Sequence, residues 1–397
     1  MPASLLAEPA ARGVAVLETA PRPRRVVVLA SLARSLIIFR GQLLRAMVEA
    51  GHEVLALAPE NDPGVAVALA RNGVRYRAVP MARVALHPLA DLRTVAELVR
   101  ILRRFRPDVI LAYTMKPIIY GGLAAQLAAV PHRYAMITGL GYVYTDSGDQ
   151  GADRRVLRIV SGILYRWALR GIEAVFVYNP DDERELTGRG MVSPRQRVIR
   201  VAGSGIDLTH FAEVALPSGP PVFLLIARLL RDKGLFEYVE AARMLKARHP
   251  GVRVQLLGPF DLNPTAIDRE QLETWVREGV IEYLGETEDV RPSLAACTVY
   301  VLPSYREGVP RTVLEAMATG RAIITTDAPG CRETVVPNEN GLVVPVRDPV
   351  ALALAMERFV SEPGLAARMG RRSREIAAAR FEVHKVNRVL LDSMGLL

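Results

Sequence analysis

Residues 298–326, TVYVLPSYREGVPRTVLEAMATGRAIITT, set an apolar run (298–303), a loop, a helical pattern from Pro310 and a second apolar run (322–326) in succession. Two short β-branched runs joined by a single helix make a strand–helix–strand unit with parallel strands. Proline suits the first helical position, where an N–H would have no helical partner. The amides of Val309, Arg311 and Thr312 then crown a helix N-terminus, a place that favours phosphate. Glu315 follows about 7.5 Å along the axis at 1.5 Å per residue. That offset resembles the separation of a diphosphate from its ribose, whose adjacent hydroxyls an acidic residue can accept. Glu307, at the loop tip, would reach a sugar beyond the phosphates. Alone, the two glutamates fit better a solvated helix N-terminus favoured by the dipole.

The same alternation extends in both directions. Apolar runs fall at 25–30, 52–58, 74–80, 108–113, 132–138, 173–178 and 197–202, with a helix predicted over 38–50 between the first two. The pattern pauses at 203–221, which is loop-like and holds paired prolines, and restarts at 222–227, 253–258, 281–285, 298–303, 322–326 and 342–345. The expectation is α/β, with two doubly wound Rossmann-like domains facing each other across a cleft. The boundaries read as a flexible tail (1–23), a first domain (24–205), a second (206–375) and a terminal helix crossing back to the first (376–397). Ligands of open parallel sheets bind beyond the carboxyl ends of the strands, so functional residues belong in the loops that follow strands.

Composition agrees with a globular chain. Half of the 397 residues are hydrophobic and the net charge is +9, which suits an anionic partner or simply a soluble surface. Two cysteines, Cys297 and Cys331, lack metal-ligand spacing and fit a reducing compartment. The N-terminal stretch places its positive cluster last, the reverse of a secretory signal. The longest uncharged stretch, 117–132, is shorter than the roughly 20 apolar residues of a membrane span.

A second loop raises the odds of chemistry. Arg228 comes straight after the run at 222–227, and Lys233 precedes Gly234 and an amphipathic helix. Two cations at the carboxyl end of a strand suit a diphosphate whose charge develops as a bond breaks. Arg231, Asp232 and Lys233 also fit a capping turn.

Together these stretches resemble the family 4 glycosyltransferases, from about residue 24 to the end of the chain. The most specific part is PSYREGVPRTVLEAMATGRAIITTDAPGCRETV (303–335), with Glu307 and Glu315 as the E-x7-E pair; ARLLRDKG (227–234), GSGID (203–207) and NGLVVP (340–345) follow the same family in order and spacing. The resemblance implies the GT-B fold and retaining transfer of a sugar from a nucleotide diphosphate, without metal or other cofactor. It assigns Arg228 and Lys233 to the diphosphate, Glu315 to the ribose and Glu307 to the donor sugar, and puts Gly308, Val309, Arg311 and Thr312 around the donor. The first half, in SLARSLIIFRGQLLRAMVEAGHEV (31–54), YTMKPIIYGGLAAQLAAV (113–130) and ITGLGYVYTD (137–146), is similar to bacterial members that build surface polysaccharides on polyprenyl-diphosphate carriers. The implied donor is a UDP-sugar, an N-acetylhexosamine or a hexose. The implied acceptor is a lipid-linked saccharide, reached in the cytoplasm at the inner face of the membrane.

The chain departs from the family at one point. A histidine common after the fourth strand is absent, and Tyr113, Thr114 and Lys116 stand there, with Tyr113 and Lys116 as acceptor-side candidates. No Asp-x-Asp is present, and the acids of ETED (286–289) sit where a helix starts. On 153–171, Val156, Ile159, Val160, Ile163, Leu164 and Trp167 share one helical face opposite Arg154, Arg155, Arg158 and Arg166. Such a stripe is expected to pack on the sheet, a basic helix lying on acidic lipid being the alternative. Two rival functions remain. The intact Glu307, Glu315, Arg228 and Lys233 argue against a non-catalytic nucleotide-sugar-binding protein, whereas the absent histidine leaves it open. A dinucleotide-dependent oxidoreductase needs a glycine-rich turn that VVLASLARSL (27–36) lacks. Nucleic-acid binding rests on net charge alone, without an aromatic–basic platform.

Overall fold

The computed structural model describes residues 22–81, 88–140, 152–261, 263 and 265–397. All but the last two residues of the expected tail, and 141–146 of the ITGLGYVYTD motif, lie outside them.

Every apolar run marked in the sequence is a strand. The first sheet comprises β1 (Arg25–Leu29), β2 (Glu53–Ala58), β3 (Arg75–Ala78), β4 (Val109–Tyr113), β5 (His132–Ile137), β6 (Ala174–Val177) and β7 (Arg197–Arg200). The second comprises β8 (Val222–Ile226), β9 (Arg253–Leu257), β10 (Glu282–Tyr283), β11 (Val299–Leu302), β12 (Ala322–Thr326) and β13 (Gly341–Val344). Their orders are β3-β2-β1-β4-β5-β6-β7 and β10-β9-β8-β11-β12-β13. Pairing is parallel throughout, with Leu29 opposite Ala112 and Tyr300 opposite Leu224. In each sheet the order reverses beside the first strand, between β1 and β4 and between β8 and β11. Crevices form at such points, because helices leave to opposite faces.

Burial on both faces explains the unbroken apolar runs. Val26 and Val28 pack with Leu36, Leu43 and Met47, whereas Val27 and Leu29 meet Leu98, Ile101 and Ile118 on the other side. The first of these cores continues into the second sheet through Leu224 and Tyr300. The terminal helix Val383–Ser393 packs against Gly41–Glu49, and His52 contacts the Leu396 carbonyl through Nε2 (3.1 Å).

Two local expectations are corrected. The helix predicted over 38–50 is two helices, Ala33–Ile38 and Gly41–Glu49, separated where Arg40 leaves helical geometry (φ −127°, ψ −4°). Arg40 is buried, its guanidinium 5.1 Å from the Tyr113 ring centroid and bonded to the Tyr178 hydroxyl. The second correction concerns the helix Ala152–Ala168. Its stripe does not pack on the sheet: Ile159, Ile163 and Trp167 are 58%, 48% and 56% exposed. Ser161, Tyr165 and Ala168 face inward instead. The cause is close packing against Met115–Leu127, where a Cβ on Gly122 would lie 2.7 Å from the Ala168 carbonyl oxygen. At Gly122 no larger side chain fits so near the Ala168 backbone. Leu164 is partly buried, and the side chains of Arg154, Arg155 and Val156 lie outside the described residues.

Candidate active site

Two loops of the second sheet and three segments of the first converge at the strand ends. After β8, Arg228 leads to a short 3-10 turn, Arg231–Lys233, closed by Gly234 in the left-handed region (φ 74°). A Cβ there would fall 2.1 Å from the Pro303 carbonyl oxygen, so the turn is pressed against the loop that follows β11. That contact brings Lys233 Nζ within 2.5 Å of Glu307 Oε1, in a pair 18% and 16% exposed. Arg228 is half exposed and donates to Asp261 (2.7 Å).

The helix after β11 runs Arg311–Ala318, with Pro310 as its cap rather than its first residue (φ −70°, ψ 115°). Among the described residues the amides of Val309, Arg311 and Thr312 make no main-chain hydrogen bond, because the first acceptor, the Pro310 carbonyl, serves Val313 and Leu314. The Thr312 hydroxyl meets that of Tyr300 (2.6 Å). Glu315 is almost fully buried and accepts from Arg311 Nε (2.9 Å). Burial pushes its carboxyl above the ordinary glutamate value, and Arg311 opposes that shift. Arg311 also reaches Ser204 Oγ (3.4 Å), and its guanidinium stacks on Phe39 of the first domain (5.6 Å). The GSGID segment (203–207) therefore lies beside the helix N-terminus, where a Cβ on Gly203 would meet Val309 Cγ1 at 2.9 Å.

From the first domain, the ends of β5 and β6 press on the loop at 306–309. A Cβ on Gly308 would lie 1.9 Å from the Thr138 carbonyl oxygen, and Asn179 Nδ2 donates to the Gly308 carbonyl (3.0 Å). Arg306 pairs with Asp182 (2.5 Å), a carboxylate with no exposed surface. Arg34 and Gln42 bind Glu288 and Asp207 across the same cleft.

The structure thus brings Glu307, Gly308, Val309, Arg311, Thr312, Glu315, Lys233 and Arg228 into one region. The acceptor-side candidates fare differently. Tyr113 is buried, with its hydroxyl on Ser35 Oγ (2.8 Å), and does not line the cleft. Thr114, the next residue, carries the strained backbone (φ 70°, ψ 161°) and donates its hydroxyl to Ser31 (2.8 Å). Lys116 is partly buried, which lowers its ammonium below the usual lysine value against the raising field of Asp91. Two of the three ETED acids are paired with arginines. Asp289 is held at about 2 chiefly by its hydrogen bonds to Arg291, and Glu288 pairs with Arg34. No group of three or more His, Cys, Asp or Glu residues arranged to hold a metal occurs among the described residues.

Sequence reading missed Asn179, Asp182 and Arg306. In YNPDD (178–182) the Asn-Pro step signals a helix start, and Asn179 does cap Pro180–Gly188, accepting from the Asp182 amide (2.8 Å). Its second role depends on the opposite domain and has no local signal.

Known proteins match along the length of the chain. Residues 39–202 match the family described as glycosyl transferase 4-like domain, and 207–376 the one described as glycosyl transferases group 1. The Campylobacter jejuni N,N'-diacetylbacillosaminyl-diphospho-undecaprenol alpha-1,3-N-acetylgalactosaminyltransferase is 30% identical over 331 residues, 80% of this chain and 84% of that one. An Escherichia coli UDP-Gal:alpha-D-GlcNAc-diphosphoundecaprenol alpha-1,3-galactosyltransferase is 24% identical, over 73% and 76%. Anabaena HepE in complex with UDP-glucose superposes with a TM-score of 0.74 at 18% identity, over 94% of this chain and all of that one. With two facing Rossmann-like sheets, both family matches and a relative 30% identical over four-fifths of the chain, the chain belongs to the family 4 glycosyltransferases of the GT-B fold.

Proposed function

We propose that the enzyme transfers an N-acetylhexosamine, or a hexose, from its UDP donor to a saccharide carried on a polyprenyl diphosphate, with retention at the anomeric carbon. The observation that carries this reading is the meeting of Lys233, Glu307 and the uncapped helix N-terminus at Val309–Thr312, opposite the strand ends of the acceptor domain. The relatives' names add the chemistry: both transfer to a sugar on diphospho-undecaprenol, and one names UDP-galactose as donor.

In this reading Glu315 accepts the ribose hydroxyls, with Arg311 holding its carboxylate in place. The amides of Val309, Arg311 and Thr312 meet the diphosphate. The bond from the anomeric carbon to the diphosphate oxygen breaks, and the acceptor oxygen bonds to that carbon on the same face. The acceptor's proton passes to the departing phosphate oxygen, so no protein base is needed. Lys233 and Arg228 stabilise the charge that develops there, without a resident metal or other cofactor. Glu307 orients the sugar hydroxyls, and Lys116 meets the acceptor's diphosphate.

The enzyme works at the inner face of the cell membrane, lying on it. No helix among the described residues is long and apolar enough to cross. The outward stripe of Ile159, Val160, Ile163 and Trp167 has Arg166 and Arg170 beside it, and Leu89 and Leu92 stand exposed on the helix Pro88–Phe105. Apolar side chains flanked by arginines suit an anionic lipid surface.

The test is a thermal-shift panel with UDP, GDP, ADP and NAD, followed by transfer assays with UDP-N-acetylgalactosamine, UDP-N-acetylglucosamine and UDP-galactose on short-chain polyprenyl-diphosphate saccharides, with and without EDTA. A ligand at 100 times its Kd adds about 2.7 kcal/mol of stability. A shift with UDP alone and EDTA-insensitive transfer are expected. A shift with NAD instead, or failure of every UDP-sugar, refutes the reading.

A further inference from the structure

We infer that Asn179 and Asp182 of the first domain are positioning residues for the donor loop of the second, so that Glu307 takes its working place only when the two domains are closed. The inference rests on the donor role proposed for Glu307.

Asn179 and Asp182 are both fully buried, and both turn polar atoms toward the facing domain. The Asn179 side-chain amide donates to the Gly308 carbonyl (3.0 Å) and more weakly to that of Glu307 (3.4 Å), while its oxygen caps its own helix at the Asp182 amide. On their other side the same two carbonyls press on Gly330, where a Cβ would sit 2.3 Å from each oxygen. Asp182 Oδ1 accepts from Arg306 (2.5 Å), and its second oxygen accepts from Asn179 (3.0 Å). The residues on either side of Glu307 are therefore fixed by the first domain, Arg306 through its side chain and Gly308 through its carbonyl. The Glu307 amide itself is held by the Pro329 carbonyl (2.8 Å).

The energetics favour a clasp over an incidental contact. A buried carboxylate is costly unless paired, and the only cation in ion-pair range of Asp182 among the described residues is Arg306, from the opposite sheet. Burial raises the Asp182 carboxyl and Arg306 opposes the rise, so separating the domains leaves the carboxylate without its counter-charge. The first domain thus carries a socket whose partner is the residue beside Glu307. In the function proposed above, the donor's nucleotide end meets the second domain, through Glu315 and the helix N-terminus. Binding of UDP and alignment of the sugar are in this way assigned to different sets of residues.

The experiment compares the full-length protein with Asn179→Ser, which keeps a helix-capping oxygen but loses the longer side-chain amide that reaches the Gly308 carbonyl, and with Arg306→Met, Arg306→Lys and Asp182→Asn. Amide exchange over residues 305–309 is read with UDP bound, alongside UDP affinity by calorimetry and kcat and KM with UDP-N-acetylgalactosamine. Exchange at Glu307 and Gly308 should quicken on the order of tenfold in Asn179→Ser and Arg306→Met. UDP affinity should stay within about threefold and kcat should fall by roughly 10- to 100-fold, as for a reacting group displaced by about 1 Å. Arg306→Lys should recover part of the loss. Unchanged exchange in both variants overturns the clasp whatever the donor proves to be. Faster exchange with kcat intact overturns the positioning role. If the parent enzyme turns over no UDP-sugar, the functional reading fails, while the exchange data still decide the clasp.

Discussion

Gly308→Ala is the substitution whose effect the structure defines most closely. The added Cβ would lie 1.9 Å from the Thr138 carbonyl oxygen and 3.1 Å from Tyr178 Cδ2. Carbon–oxygen contacts settle at about 3.3 Å, so the loop must retreat by about 1.4 Å or the domains must part by that much. The Asn179 bond to the Gly308 carbonyl, now 3.0 Å, would then stretch past hydrogen-bonding range. A misplacement of about 1 Å at a reacting group costs roughly 100-fold in rate, equivalent to about 2.7 kcal/mol of transition-state stabilisation. Neither sheet loses a core atom, so the melting temperature should fall by only a few degrees, and UDP affinity should hold within about threefold. The assay is steady-state transfer from UDP-N-acetylgalactosamine, paired with calorimetry of UDP. Gly251→Ala is the control, since a Cβ there meets nothing within 4 Å and the backbone is unstrained. A Gly308→Ala enzyme with kcat within threefold of the parent would refute the argument that this loop must touch the first domain.

Three further outcomes follow from the geometry. Because burial raises Glu315 in the folded chain, its ionised form is gained only as pH climbs above the ordinary glutamate value of 4.5. If that carboxylate accepts the ribose hydroxyls, UDP should bind more tightly as pH rises through the raised pKa, and Glu315→Gln should flatten the dependence. The linked stability runs the other way: the folded state favours the protonated acid, so its contribution shrinks over the same rise in pH. Lys233→Ala should lower kcat by about 100- to 1,000-fold, the size expected on removing a group that meets developing charge, with a smaller change in KM; equal kcat would remove Lys233 from the chemistry. Ile163→Ser with Trp167→Ser should weaken sedimentation with phosphatidylglycerol vesicles by about tenfold or more, each buried apolar side chain being worth about 1.5–3 kcal/mol. Turnover of a short, water-soluble acceptor should not change, and unaltered vesicle binding would exclude this face.

How much was legible from residues alone can be judged element by element. The strands were all legible, since a parallel strand buried on both faces writes an uninterrupted β-branched run into the chain. So was the loop after β11, because its parts are close in sequence: Glu307, Pro310 and Glu315 lie within one turn and one short helix. Arg228 and Lys233 declared themselves by following a strand. The helix Ala152–Ala168 misled, since amphipathicity shows that two faces differ without showing which one turns inward. The approach of Gly122 to Ala168 settled that, and it depends on a neighbouring helix 46 positions away. Tyr113 misled for a related reason. A strand's last residue can point to either face, and Arg40 and Ser35 draw this one into the core.

The sequence by itself determined two doubly wound sheets and the gathering of charged residues at the end of β11, because those properties are encoded in local periodicity and in residues a few positions apart. Only the tertiary structure decided that Asn179, Asp182 and Arg306 complete the loop around Glu307, and which side of the 152–168 helix meets the outside. Both depend on surfaces brought together by the closing of one domain on another or one helix on its neighbour. Such contacts join residues more than 100 positions apart in one case and 46 in the other, and neither leaves a periodic trace along the chain.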